Sequence, residues 1–92
     1  MIFVFGGLKY DTDKMEKVAE VKKSYKNTTI LGSSYWSTYN CTLYKSAKGN
    51  WLLTHQDGGN YGQAIEENEA KDLLLRYDIK KYEEMYGELP EA

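Results

Sequence analysis

The sequence predicts an α+β fold, with a small antiparallel sheet of three to four strands followed by one or two C-terminal helices. The first observation behind this prediction is the concentration of Tyr, Trp and Thr over residues 35–55, which favours β-structure. The second is the recurrence of apolar residues at helical spacing from Glu66 onward. Strands grouped ahead of helices are typical of α+β proteins. The 92 residues leave room for one hydrophobic core, so residues 1–92 are expected to form a single domain.

The N-terminal quarter of the chain contains one clear strand signal and one ambiguous stretch. Residues 2–5 are apolar and β-prone, and Gly6-Gly7 ends them, which predicts a first strand and then a turn into residues 8–10. Further on, Asp13 with Glu16 fits a helix capping box, whereas residues 19–25 alternate as in a half-solvated strand. From the residues alone, a helix and a turn over residues 11–15 followed by a strand both stay open.

The clearest strand covers residues 35–44, after a polar connection over residues 27–34. The twofold periodicity of a strand divides its side chains between two faces. The face expected to point inward carries Tyr35, Tyr39, Cys41 and Leu43, and the opposite face carries Trp36, Thr38, Thr42 and Tyr44. Residues 45–50 are predicted to form a loop in which Gly49 supplies a positive φ, and residues 51–55 return as the second arm of an antiparallel hairpin.

The C-terminal third is predicted to be helical after a flexible crossover at residues 57–62. A first helix is expected to run from about Glu66 to Tyr77, with its early acidic residues complementing the helix dipole. Asp78 breaks the pattern, which then continues to Gly87, a C-cap residue ahead of Pro90. Two helices, or one kinked helix, therefore close the chain.

Composition limits the classes of function. Twelve basic and fourteen acidic residues give a net charge of −2, which provides no broad positive field for a nucleic-acid backbone. No apolar stretch approaches the roughly 20 residues that span a bilayer, so no membrane partner is expected. The start of the chain lacks the pattern of a signal peptide and Cys41 has no second cysteine to pair with. A cytoplasmic location is expected.

The residues that commonly carry catalysis or bind metals are sparse. His55 is the only histidine, and the one nucleophile it is expected to approach is Cys41 on the preceding strand, where a small buried side chain is the better interpretation. Structural zinc needs four Cys or His ligands, and the chain holds two such residues. The glycines of residues 58–62 lack the Gly-Lys-Ser/Thr of a phosphate-binding loop. We therefore predict no catalytic residue, no metal site and no cofactor.

Aromatic residues make up 14% of the chain, including nine tyrosines, and these suit either the rim of a small core or a binding surface. Two aromatics on one side of a hairpin favour a protein-binding anchor, although the helices are equally able to cover them. The candidate partner-binding residues are Trp36, Tyr44 and Tyr39 of the hairpin and Glu83 and Glu84 of the acidic C-terminal helix. The alternative surface is the lysine-rich stretch of residues 14–26 with Tyr25, which favours a nucleic-acid partner.

Five short stretches form a pattern along the chain: Tyr10-Asp11-Thr12-Asp13-Lys14, Thr42-Leu43-Tyr44-Lys45-Ser46, Lys48-Gly49-Asn50-Trp51-Leu52-Leu53, Glu69-Ala70-Lys71, and Tyr82-Glu83-Glu84-Met85-Tyr86-Gly87-Glu88. This pattern resembles that of small uncharacterised proteins of bacterial phages and mobile elements. In those relatives a strand follows the Tyr-Asp-Thr turn, so the resemblance favours a strand after Met15. The chain departs from them in its apolar residues 1–5 and in residues 65–68, which lack the usual Ser or Thr cap.

The resemblance implies a function through the anti-CRISPR proteins, which bind and block a host machine without catalysis. The expected function is thus that of a non-enzymatic protein-binding protein, an inhibitor of a host defence machine such as a CRISPR effector, acting in the host cytoplasm. A homodimer is a further possible assembly. The alternative is a small nucleic-acid-associated regulator, whose binding would weaken steeply with salt.

Overall fold

The computed structural model describes all 92 residues and contains six strands and two α-helices. A short 3₁₀ turn, Thr12–Lys14, joins the second and third strands. The elements are β1 (Ile2–Phe5), β2 (Leu8–Asp11), β3 (Glu16–Thr28), β4 (Ser34–Lys45), β5 (Trp51–Gln56), β6 (Asn60–Ile65), α1 (Glu67–Tyr77) and α2 (Ile79–Tyr86). The predicted α+β class, with strands ahead of two C-terminal helices, is confirmed.

The strands form two antiparallel sheets. The main sheet has four strands in the order β3-β4-β5-β6, in which every strand pairs with its neighbour in sequence, and β1 and β2 form a separate hairpin. A register shift between Lys17 and Ala19 marks a bulge near the start of β3. The strand order leaves β3 and β6 as the two edges of the main sheet.

The hydrophobic core lies between one face of the main sheet and the helical layer formed by α1 and α2. Alternate residues of the strands point to this face, and Ala70 and Leu74 of α1 fill the space above them without any solvent exposure. The buried cluster consists of Val18, Ala19, Val21, Cys41, Leu43, Trp51, Leu53, Ala70 and Leu74. Both predicted inward-facing residues at the C-terminal end of β4, Cys41 and Leu43, belong to it.

The opposite face of the main sheet is covered in part by the β1–β2 hairpin. The ring of Phe3 lies against Gly62 of β6, and Tyr10, Leu52 and Thr54 are buried although they do not belong to the cluster beneath the helices. The molecule therefore has three layers, with the small hairpin and the helices on opposite faces of the sheet.

The two helices are separated at Asp78, as predicted. The Asp78 backbone N–H donates to Leu74 O at 2.8 Å to end α1, and its carboxylate accepts from Lys81 N at 3.1 Å to begin α2. Gly87, with φ of 95°, ends α2, and its N–H donates to Glu83 O at 2.9 Å.

Two segments of the fold differ from the sequence predictions. The prediction of a flexible crossover at residues 57–62 is wrong. Only a tight turn at residues 57–59 separates β5 from β6, and residues 60–62 belong to β6. Gly62 is a strand residue whose missing side chain makes room for the Phe3 ring, not a loop residue. Residues 8–11 form β2 rather than the continuation of a turn, while the strand interpretation of residues 16–28 is confirmed over the helical one.

The β3–β4 hairpin extends well beyond the rest of the sheet. Residues 42–45 of β4 pair with both β3 and β5, whereas residues 34–41 pair with β3 alone. We call residues 22–40 the arm. It accounts for a radius of gyration of 14.8 Å, compared with about 12 Å for a compact chain of this length. Tyr35, predicted to point inward, is instead exposed because no helix reaches this part of the arm.

Replacement of Gly62 tests the packing of the hairpin on the sheet. A Cβ atom at Gly62 would lie 2.8 Å from the Phe3 ring, so we expect Gly62→Ala to lower the free energy of unfolding by about 1–3 kcal/mol. Urea denaturation measures the change. Gly59→Ala is the matched control, since its Cβ would meet no atom within 4 Å. If the Phe3→Ala background did not reduce the effect of Gly62→Ala, the steric explanation would be wrong.

Candidate functional site

Trp36 and Tyr44 share the outer face of β4, as predicted, but they do not form one surface. They stand at opposite ends of the strand, about 26 Å apart at the rise of an extended chain. Trp36 is 69% exposed near the end of the arm, whereas Tyr44 is half-buried beside Met1 and Thr54 in a cleft under the β1–β2 hairpin. Of the two, only Trp36 is freely accessible to a large partner.

Tyr39, the third predicted hairpin residue, lies on the opposite face of β4. Its hydroxyl donates to Asp57 Oδ2 at 3.0 Å, and its ring stacks on His55 with a centroid separation of 4.7 Å. Tyr39 therefore ties the base of the arm to the β5–β6 turn.

Glu83 and Glu84 lie on α2, in the helical layer, and take part in local contacts. Glu83 is half-buried and its carboxylate accepts from Leu89 N at 2.9 Å. Glu84 is exposed and lies 3.8 Å from the Lys81 ammonium group. The structure does not bring these carboxylates together with the hairpin aromatics.

The end of the arm exposes a cluster of apolar side chains that the sequence analysis missed in part. Ile30 and Leu31 occupy the turn between β3 and β4 and are almost completely exposed, and Tyr35 and Trp36 follow at the start of β4. We call these four residues the arm tip. The sequence did contain a signal for this cluster. Ile30 and Leu31 are two adjacent apolar residues in the connection predicted over residues 27–34, whose other residues are Asn, Thr, Gly and Ser, and turns are usually polar.

Charge is divided unevenly along the chain and therefore across the molecule. Residues 21–56, which include the whole arm, carry five lysines and no acidic residue. Residues 57–92, which include the helical layer, carry ten of the fourteen acidic residues. The arm is thus basic, while the helical end of the molecule is acidic.

An aromatic row crosses the sheet at the base of the arm. It contains Tyr25, Tyr39, His55 and Tyr61, one ring from each strand of the main sheet. The ring centroids of His55 and Tyr61 are 5.1 Å apart, close to the spacing of paired strands, and their planes differ by 13°. The His55 ring stacks on Tyr39 and on Tyr61, while the Tyr25 ring is tilted against Tyr39 and His55. A ligand would therefore reach mainly the ring edges and the outer face of Tyr61, which is 52% exposed.

A polar network joins the two edge strands above the aromatic row. The Tyr25 hydroxyl donates to Gln63 Oε1 at 3.1 Å, and Lys23 Nζ lies 3.4 Å from the same oxygen and 2.7 Å from Glu69 Oε2. A flat sheet would separate β3 from β6 by about 14 Å, so these long side chains reach towards one another across the two strands between the edges. Burial, with smaller effects from Cys41 and Glu69, raises the pKa of Tyr25 to about 12.

Cys41 and His55 lie on neighbouring strands, but each has other partners. Cys41 is completely buried, its thiol donates to Tyr39 O at 3.5 Å, and burial raises its pKa. The His55 ring stacks between Tyr39 and Tyr61. The thiol is therefore protonated in the neutral range and out of reach of solvent.

Two further features of the structure bear on the kinds of site it contains. No group of three or more His, Cys, Asp or Glu side chains is arranged to hold a metal ion. Neither helix has the length and apolar composition needed to cross a membrane.

In comparisons with family models, curated proteins and solved structures, no match to the chain was found.

The raised pKa of Tyr25 predicts a loss of stability at alkaline pH. Below pH 10 the phenol is neutral in both states, whereas between about pH 10 and 12 it ionises first in the unfolded chain, which lowers the free energy of unfolding. We expect Tyr25→Phe to be less stable at pH 7 by about 1 kcal/mol, through loss of the hydrogen bond to Gln63, and to lose less stability across this pH window.

Denaturation curves at several pH values measure both effects. Tyr35→Phe is the control, because it removes an exposed phenol on the arm and leaves the network intact. Equal losses between pH 10 and 12 for the wild type and Tyr25→Phe would show that another group is responsible.

Proposed function

We propose that this protein is a non-enzymatic protein-binding protein that contacts its partner through the arm tip. The exposure of Ile30 and Leu31 at the end of a projecting hairpin carries the proposal. Each such side chain is worth about 1.5–3 kcal/mol when it is transferred from water into an apolar pocket. Trp36 and Tyr35 beside them are of the residue classes that dominate binding energy at protein interfaces.

The chemistry of the arm also limits the kind of partner. Lys22 and Lys26 lie on the outer face of the arm, and no acidic residue accompanies them there. A partner with an apolar pocket and an acidic rim would match the arm tip and its surroundings in polarity and charge. Charge complementarity of this kind speeds association and excludes basic partners.

The narrower proposal is that the partner belongs to a host defence machine, such as a CRISPR effector, and is inhibited by the binding. Its support is the resemblance to small proteins of phages and mobile elements, together with an arm that can occupy a pocket without any chemistry of its own. In this proposal the protein acts in the cytoplasm of the host cell.

A second candidate function is that of a nucleic-acid-associated regulator. It is favoured by the pairing of Lys26 with Trp36 across the two strands of the arm, which places a cation beside an exposed ring. Single-stranded nucleic acids are bound by such combinations of stacking and positive charge. Binding of this type would weaken steeply with salt, whereas apolar docking of the arm tip would not.

Capture of partners from a nuclease-treated bacterial lysate tests the proposed function. The full chain is used as bait beside a double variant, Ile30→Ser with Leu31→Ser, and a control, Ile79→Ser, which removes an apolar side chain that is 52% exposed on α2, away from the arm. We expect a protein partner that the wild type and the control retain and that the double variant binds at least about tenfold more weakly.

The stability of the baits must be equal for this comparison, and exposed substitutions are expected to change it by less than about 0.5 kcal/mol. A protein partner retained equally by the double variant would overturn docking through the arm tip. In a parallel capture from lysate without nuclease, recovery of nucleic acid alone, released by moderate salt, would favour the regulator.

Interference in cells tests the narrower proposal. In bacteria whose CRISPR system destroys a targeted plasmid, the wild-type protein and Ile79→Ser should restore plasmid retention, and the double variant at the arm tip should not. Plasmid retention is counted as colonies under selection. If every CRISPR effector in a tested panel remained fully active, the inhibitor proposal would be contradicted. The broader proposal of protein binding is tested separately by the capture experiment.

A further inference from the structure

The two edges of the main sheet differ sharply in composition. β3 carries Glu16, Lys17, Glu20, Lys22, Lys23 and Lys26 and contains a bulge. β6 contains only Asn, Tyr, Gly, Gln, Ala and Ile, with no charge and no proline. Lysines and bulges are the devices by which edge strands avoid pairing with other chains. β3 is therefore protected in this way, and β6 is not.

No hydrogen bond within the chain uses the free side of β6. Its pairing with β5 uses one side of the strand, and no other backbone or side-chain hydrogen bond involves a backbone group of residues 60–65. α1 follows β6 directly in sequence, but its main strand contact is with β3. Phe3 of the β1–β2 hairpin lies on the face of β6, against Gly62, rather than along the edge.

We propose that β6 pairs in an antiparallel manner with β6 of a second copy of this chain, which joins the two main sheets into one continuous eight-stranded sheet. An antiparallel strand pair about a twofold axis is self-complementary, so the same six residues supply both sides of the contact. No like charges oppose one another in this pairing, in contrast to a β3 edge facing a second β3 edge.

The alternation of side chains fixes which registers are allowed. Tyr61, Gln63 and Ile65 lie on the helical face of β6, and the two copies must match face with face. A register centred on Gln63 pairs residues 61–65 completely. It also places Ile65 of the second copy opposite Tyr61, whose outer ring face is otherwise exposed.

The concentration dependence of the mass tests this pairing. Sedimentation of the full chain is followed from about 1 μM to 1 mM, and hydrogen exchange of residues 60–65 is compared at the two extremes. We expect a shift from monomer to dimer, together with slowing of exchange by about tenfold at the outward-facing amides of β6. The shift should not depend on salt, because β6 is uncharged.

Lysine substitutions on the two edges distinguish β6 from other surfaces. Ala64→Lys adds a charge to exposed β6 and should weaken dimerisation at least tenfold, whereas Thr28→Lys, at the exposed end of β3, should not. A chain that stays monomeric at about 1 mM, or a dimer that Ala64→Lys leaves unchanged, would overturn the proposal. A dimer lost in the Ile30→Ser, Leu31→Ser variant would show self-association through the arm tip instead.

Discussion

The length of β4 is the constraint on which the rest of the structure depends. Its last four residues, 42–45, lie between β3 and β5, where burial on both faces is possible, but residues 34–41 have β3 as their only neighbour. The core is consequently confined to that end of the longest hairpin, where Leu43 is buried, and Cys41, one residue beyond the pairing with β5, is the other buried residue of β4. The other end cannot be buried by this chain and projects as the arm, so the exposure of Ile30 and Leu31 follows directly from the strand pairing.

An arm of this kind is useful for binding only if it keeps its direction. The aromatic row at its base brings together rings from all four strands of the main sheet, and Tyr39 is fixed to the β5–β6 turn by its hydrogen bond to Asp57. Lys23, on the β3 side of the arm, contacts Gln63 of β6 and Glu69 of α1. These contacts order the base of the arm, and such pre-organisation would lower the entropic cost of the docking proposed above.

The sequence predicted the strands and helices that depend on local residue patterns. It did not predict those whose formation depends on a residue far away in the chain. β-prone composition identified β4, the Gly49 loop identified β5 as its hairpin partner, and helical spacing with Asp78 and Gly87 identified both helices and their ends. β6 was missed because Gly62 resembles a loop residue until Phe3, far away in sequence, is placed against it. The alternation of side chains along a strand correctly placed Trp36 and Tyr44 on one face of β4. Whether each of them is covered depends on where β5 ends and where the β1–β2 hairpin lies, and no local sequence pattern contains that information.

The two proposed surfaces are compatible because of the strand order. The arm consists of parts of β3 and β4, at one edge of the main sheet, and β6 forms the other edge. Pairing through β6 would therefore leave both arms free at the two ends of a continuous sheet, whereas pairing through β3 would bring the arms and their lysines together. A dimer with two free arms would bind a partner that presents two pockets more tightly than a single arm does, without any new contact. The lysines of β3 thus serve both proposals, since they keep that edge unpaired and give the arm its positive charge.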